Sequence, residues 1–330
     1  MTKLYQVVGI GNAVSDVIAT TSDAFLMTNS VEKGIMQLID QPRAEALFSA
    51  MDARTETPGG SVANTISGLG SLGIRTAFIG RVADDELGLS YAAAMAEEGT
   101  DFPNPPVGNA SLPTSRSMIF VSPDGERSMN TYLGISSDVG PLDVSEDVVS
   151  KCEVLFLEGY LFDKAPGKAA FRKAADQARL SGARAGISLS DPFCVDRHRV
   201  DFRALVAGPL DFFLCNEEEL KSLYQTEGLT EALALGAADC DLVVCTRSSE
   251  GVSVCQGNSR WDVPVVPVIP MDATGAGDQF AAGFLYGLVQ GFDMKTCGEI
   301  GGIAAGEVIG HIGPRPATSI LTMLKAQGIC

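Results

Sequence analysis

Only two histidines, His198 and His311, and one tryptophan occur in 330 residues. A histidine triad or a multi-histidine metal centre has little material, so any reaction falls to carboxylates and backbone amides. The eight cysteines stand apart at 152, 194, 215, 240, 245, 255, 297 and 330 with no C-x-x-C pair, which predicts reduced, mostly buried thiols rather than a zinc site. Basic residues are scarce too: 24 Lys and Arg against 41 Asp and Glu give a formal charge of −17. Neither nucleic acid nor a membrane surface is an expected partner of such a chain. It has no run of about 18 apolar residues to span a bilayer, and its start lacks the charged head and apolar core of a signal peptide, so the expected compartment is the cytoplasm.

What the chain does have is 45% hydrophobic content, enough for one large α/β unit or two ordinary ones. It also has the stretch Asp272-Ala273-Thr274-Gly275-Ala276-Gly277-Asp278, set between the β-branched run Val263 to Pro270 and an apolar run at helical spacing through Phe280, Phe284, Leu285 and Leu288. The expected order is strand, glycine turn, helix. Such a turn leaves backbone N–H groups unpaired at a helix N-terminus, a place suited to an anion. A carboxylate beside it, Asp278, needs a reason beyond anion binding, and a hydroxyl that must lose its proton while attacking phosphorus supplies one. The plainer alternative makes Asp278 a helix cap and the glycines a turn.

The seven residues resemble the C-terminal signature of the ribokinase family, the PfkB carbohydrate kinases, which includes adenosine kinases. The resemblance implies an anion hole made by Gly275, Ala276 and Gly277, with Asp278 as catalytic base and Thr274 beside the nucleotide. Pro58-Gly59-Gly60-Ser61-Val62-Ala63-Asn64 resembles the family's N-terminal signature G-G-x-x-x-N and opens a helix with Val62, Ile66, Leu69 and Leu72 on one face. It implies that Gly59, Gly60 and Asn64 contact the substrate. Asp16, after the first strand, takes the place of a sugar-binding Asp, and a carboxylate suits a vicinal diol. Arg127 matches an arginine that the family sets on a lid strand facing the substrate or its phosphate.

Asn216-Glu217-Glu218-Glu219 resembles the N-x-x-E motif that organises magnesium and phosphate. Asn216 and Glu219 share one helical face and offer hard oxygens to Mg²⁺, through water, while also suiting a helix cap. Thr246 and Gly251 fall in a T-x-G-x-x-G pattern that lines the nucleotide in relatives, but Ser248 replaces its first glycine. The loop 310–316 lies where some members bind a monovalent cation such as K⁺. Gly9-x-Gly11 invites a dinucleotide-binding reading, yet the third small residue is missing and Asn12 to Ala19 looks extended.

From residue 151 onward strand and helix patterns alternate, with helices expected at 165–181, near 197–207 and at 216–224. Short β-like runs at 14–20, 34–40, 116–121 and 128–132 read as a separate small sheet. The expected fold is therefore a three-layer α/β/α ribokinase-like sandwich with a mostly parallel sheet. Residues 1–12, 42–112 and 134–330 form its main unit, with 13–41 and 113–133 as a β lid. The expected function is ATP- and Mg²⁺-dependent phosphorylation of a primary hydroxyl on a nucleoside or sugar, adenosine favoured, by a monomer or homodimer. A ribose, fructose or fructose-phosphate kinase of the same family is an alternative, and so is a non-catalytic nucleotide or sugar sensor. As a helix-start carboxylate, Asp278 is expected below the ordinary Asp pKa.

Overall fold

A computed structural model of the chain describes residues 3–329. In chain order the strands are β1 (Tyr5–Ile10), β2 (Val14–Thr20), β3 (Met36–Leu38), β4 (Thr55–Gly59), β5 (Thr76–Ile79), β6 (Thr100–Asp101), β7 (Ser115–Val121), β8 (Arg127–Tyr132), β9 (Cys152–Glu158), β10 (Arg184–Ser188), β11 (Phe212–Asn216), β12 (Leu242–Thr246), β13 (Val252–Gln256) and β14 (Ser259–Val263). Nine form a sheet in the order β14-β13-β12-β11-β10-β9-β1-β5-β6. From β12 to β6 all neighbours are parallel, and the β13-β14 hairpin closes one edge antiparallel.

Both faces of this sheet are covered, which is why its strands read as unbroken apolar runs. Val7 and Val8 point to opposite sides. On the Val7 side lie Phe156, Phe212 and Leu214, packed by Val62 and Ile66 of the helix Ser61–Ser71 and by Phe280 and Phe284 of the helix Ala276–Gln290. On the Val8 side Leu155, Ile187 and Phe213 meet Phe171 of Ala165–Leu180 and Phe202 of Pro192–Val206. Each fully buried phenylalanine contributes roughly 1.5–3 kcal/mol through burial alone. The result is the expected three-layer α/β/α sandwich.

The second sheet runs β3-β8-β7-β2-β4. Its strands alternate, as a one-sided sheet requires. Val17, Met118, Phe120 and Tyr132 pack on Ala44 and Leu47 of the helix Gln41–Ala50, whereas Val14, Asp16, Ser117, Met129 and Thr131 face a cleft between the sheets.

Several details differ from the sequence reading. The second sheet gains β4 and the helix Gln41–Ala50, so a boundary after residue 41 divides a packed layer. The run Thr55-Glu56-Thr57-Pro58-Gly59 hides its strand character behind polar residues and a proline, tolerated because β4 is an edge. The last strand among the described residues stops at Val263: Pro264, Pro267 and Pro270 remove the N–H donors a ladder needs. The helix expected near 197 starts at Pro192, capped by Asp191, and breaks at His198, where φ is −125° and ψ 21°. Helices at Leu229–Asp239 and Ile320–Ala326 were not expected. Seven cysteines are free and buried, as expected, and Cys330 lies outside the described residues. Among the described residues no helix is long and apolar enough to cross a membrane.

Candidate active site

A cleft of about 980 Å³ opens beyond the carboxyl ends of β1, β9, β10, β11 and β12, beneath the second sheet. Parallel α/β sheets gather ligands at this end. Of the residues singled out from the sequence, Asp16, Gly60, Asn64, Asn216, Glu219, Thr246, Thr274, Gly275, Ala276, Gly277 and Asp278 line it, although they come from widely separated segments.

Gly275, with φ of 78°, adopts the left-handed conformation that precedes the helix Ala276–Gln290. The first N–H groups of that helix have no intrahelical acceptor. That of Ala276 is taken by Ala273 O at 3.2 Å, so the expected anion hole loses one of its three assigned donors. A Cβ on Gly277 would meet nothing within 4 Å, and the absence of a side chain keeps the helix mouth open.

Asp278 sits in the first turn of this helix. Its Oδ1 accepts from Ser61 Oγ at 2.7 Å and its Oδ2 from Asn64 Nδ2 at 3.0 Å. Burial pushes its pKa up to about 6, against the pull of Ser61, Asn64 and the Arg315 charge. The expectation of a lowered pKa is therefore overturned. Closing the cleft floor removes water from the carboxylate, and that loss outweighs the helix-end field.

Asp16 and Glu158 face the same space. Burial raises Asp16 to about 7, opposed by Arg315 and Arg127 and reinforced by the Asp278 charge. Gly59 is not on the cleft surface: a Cβ there would stand 2.5 Å from the Asp16 carboxylate, so glycine lets β4 pass beside that group. Gly60, with φ of 102°, lies so close to Asn12 O that a Cβ would come within 2.2 Å.

Glu158 was missed by sequence reasoning. It ends β9, is buried, and accepts from Asn12 Nδ2 at 2.7 Å, Asn12 N at 3.1 Å and Val62 N at 3.0 Å. Burial lifts it to about 7 despite these bonds. A carboxylate ending an apolar strand at the ligand-gathering end of a parallel sheet was the available signal. Gly11 belongs to this packing and not to a dinucleotide turn, since a Cβ there would lie 2.4 Å from Glu158 Oε2.

At the other end, Asn216 and Glu219 close a reciprocal capping box. Asn216 Oδ1 accepts from Glu219 N at 2.8 Å, while Glu219 accepts from Asn216 N at 2.9 Å and Asn216 Nδ2 at 2.7 Å. Burial raises Glu219 to about 7, with Asp191 adding to the push. Thr246 Oγ1 donates to Cys215 O at 3.4 Å. Ser248, in place of glycine, keeps a left-handed backbone with φ of 51°.

Two assigned residues lie off the cleft surface for other reasons. Gly251 is required by packing, because a Cβ would stand 2.0 Å from Val263 O. Arg127 turns to Asp272, with Nη1 3.2 Å from Oδ2 and both side chains only 8% exposed. Burial pushes Asp272 up, but donation from Thr274 and Gly313 and the Arg127 charge hold it below the ordinary range.

The arrangement can bind an anion at a helix mouth, take a proton at a half-buried carboxylate, and hold a polyhydroxyl group nearby. A model described as pfkB family carbohydrate kinase matches residues 35–320. The chain is 45% identical to an adenosine kinase from Sinorhizobium meliloti, at TM-score 0.90 over 98% of this chain and 99% of that one. It is 43% identical to a probable sugar kinase protein from Rhizobium etli CFN 42, at TM-score 0.91 over 100% of both. A sugar kinase of Archaeoglobus fulgidus, described as uncharacterized, is 28% identical over 250 residues, covering 75% of this chain and 96% of that one. The glycine turn and its half-buried carboxylate thus stand in a fold shared end to end with an adenosine kinase and a probable sugar kinase, and the chain belongs to the pfkB family of carbohydrate kinases, phosphotransferases with an alcohol group as acceptor.

Proposed function

We propose that the protein transfers the γ-phosphoryl group of ATP to the primary hydroxyl of a nucleoside, with adenosine the favoured acceptor. The carrying observation is Asp278, half-buried at an open helix mouth and held on both oxygens by Ser61 and Asn64. A carboxylate raised to about 6 is mostly ionised at neutral pH and still basic enough to take a proton. The acceptor hydroxyl loses its proton to Asp278 as it attacks phosphorus, and the N–H groups of Gly277 and Asp278 at the helix start stabilise the transferring oxygens. Asp16 receives the ribose diol.

The reading of the acceptor as a nucleoside rests on the opposite wall. Ile35, Met36, Leu38, Met129 and Leu133 present an aliphatic surface to the cleft, a better match for the flat face of a base than for a free sugar. The adenosine kinase from Sinorhizobium meliloti supports the same acceptor. The small sheet acts as a lid, excluding water that competes for the phosphoryl group.

Among the described residues no group of three or more His, Cys, Asp or Glu could hold a metal ion. Mg²⁺ keeps several waters and is held by one or two protein oxygens and the phosphates. Asn216 and Glu219, already closed on each other, would hold it through water, and when bound it neutralises charge on the transferring group.

The test is a phosphotransfer screen with Mg·ATP against adenosine, other nucleosides, ribose, fructose and fructose phosphate, with and without K⁺. Adenosine is expected to give the highest kcat/KM. Preferential turnover of a free or phosphorylated sugar refutes the nucleoside assignment, and ATP binding without transfer to any acceptor refutes the kinase mechanism for this chain.

A further inference from the structure

Arg315 lies in a loop that the reaction scheme leaves without a task. Its Nε donates to Asn64 Oδ1 at 3.4 Å, and its Nη1 pairs with Glu98 Oε1. Glu98 Oε2 in turn accepts from Ser67 Oγ at 2.8 Å, on the same helix that carries Asn64. The loop is fastened to the signature segment and to the helix it opens, by Gly313 N donating to Asp272 Oδ2 at 2.9 Å and by Gln279 Nε2 donating to Pro314 O at 3.1 Å.

We propose that Arg315 is a positioning residue for phosphoryl transfer, fixing the Asn64 amide so that its Nδ2 meets Asp278 and setting a cation behind the reacting carboxylate. The inference rests on the reading of Asp278 as base. An amide has one accepting and one donating end. Turned over, Asn64 would present its oxygen to a carboxylate and its NH₂ to a guanidinium, two mismatches at once. Arg315 thereby selects the orientation in which Asn64 donates to Asp278 Oδ2 at 3.0 Å.

The same guanidinium balances a crowded set of anions. The ionisable groups around Asp278 are Asp16 from the second sheet, Glu158 at the end of β9, Tyr160 in the helical turn that follows it, and Arg315 from the loop, while Arg127 acts on Asp16. Arg315 pulls both Asp278 and Asp16 down against burial. Without it, the carboxylate that takes the proton would stay protonated to higher pH.

The experiment compares wild type, Arg315→Met, Arg315→Lys and Asp278→Asn, using adenosine and Mg·ATP. Arg315→Met is expected to lower kcat by about tenfold or more with KM for Mg·ATP little changed, and to move the acid limb of the kcat profile up by about one pH unit. Arg315→Lys, which keeps the charge but not the fork, is expected to restore the limb while recovering only part of kcat. In ligand-free protein, the thermal midpoint of Arg315→Met should fall more steeply than that of wild type from about pH 5 to about pH 8, because its raised carboxylates lose protons across that window. An unmoved acid limb and an unchanged thermal slope in Arg315→Met would overturn the inference while Asp278→Asn still lowers kcat by orders of magnitude. Unchanged turnover in Asp278→Asn removes the base itself, and with it the positioning role.

Discussion

The two ends of the cleft are built differently. Under the small sheet, Asp16, Glu158 and Asp278 converge from three separate segments, and the last two are held by partners remote in sequence: Ser61 lies 217 residues from Asp278, and Asn12 lies 146 from Glu158. At the other end, Asn216 and Glu219 hold each other across three residues. The local end is a helix cap first, stable without a ligand. The convergent end gathers buried carboxylates whose charges oppose one another, an arrangement that gains nothing for the empty protein and is suited to taking up a proton. In the proposed mechanism the reaction takes place where the fold is under electrostatic tension, and the capping box is the fixed point offered to the nucleotide.

The sharpest way to break this contrast is Asp278→Asn. It keeps the shape and the hydrogen bond with Ser61 but removes the proposed proton acceptor, so kcat is expected to fall by about 10²–10⁴-fold while KM for Mg·ATP hardly moves. Steady-state kinetics check it, and a loss confined to KM would move the chemistry elsewhere. The wild-type profile sharpens the same point. With Asp278 at about 6 and ionised in its working form, kcat should decline below about pH 6 by tenfold per unit, and this limb should be absent from the residual rate of Asp278→Asn.

A smaller effect is expected from Glu219→Gln at the local end. A glutamine accepts one of the two bonds from Asn216 and turns an NH₂ towards the other donor, so the cap weakens by about 0.5–2 kcal/mol. KM for Mg·ATP should rise several-fold while KM for the acceptor stays put. Because Glu219 itself is raised to about 7, acidification below that point protonates the wild type as well, and the difference between the two proteins should shrink. An equal rise in both KM values would mean that the two ends are not separable.

The same contrast explains what could be read in advance. Asn216 and Glu219, the glycine pair before Ser61 and the turn before Asp278 are local patterns, and all were legible because each is a helix beginning with its own residues at fixed spacing. The sandwich was legible from alternating apolar strands and amphipathic helices. Arg315 was not, since its partner Asn64 lies 251 residues away and nothing around it is periodic. The Asp278 pKa was misjudged for the same reason: a helix terminus can be seen in sequence, but the burial that overrides it comes from segments that meet only in the fold. Strand β4 escaped because its polar, proline-bearing sequence fits an edge and resembles a loop.

The gentlest probe bears on the wall opposite the carboxylates. Leu38 is 55% exposed in β3 and Met36 48%, so neither contributes much to folding, and Leu38→Ala should change stability by less than about 0.5 kcal/mol. If these side chains cover a nucleobase, they become buried only when the acceptor is bound. Truncating Leu38 then removes about three carbons of contact, at roughly 0.8 kcal/mol for each one fully buried, and a partly covered side chain should raise the acceptor KM by about three- to tenfold. The effect must be selective. On this reading a ribose or fructose acceptor does not reach the wall, so its KM should be indifferent to Leu38, and KM for Mg·ATP should be unchanged with either acceptor. Comparing adenosine with ribose in the same variant therefore separates base recognition from a general loosening of the small sheet: a rise for both acceptors would mean that the wall closes the cleft without reading what lies inside it.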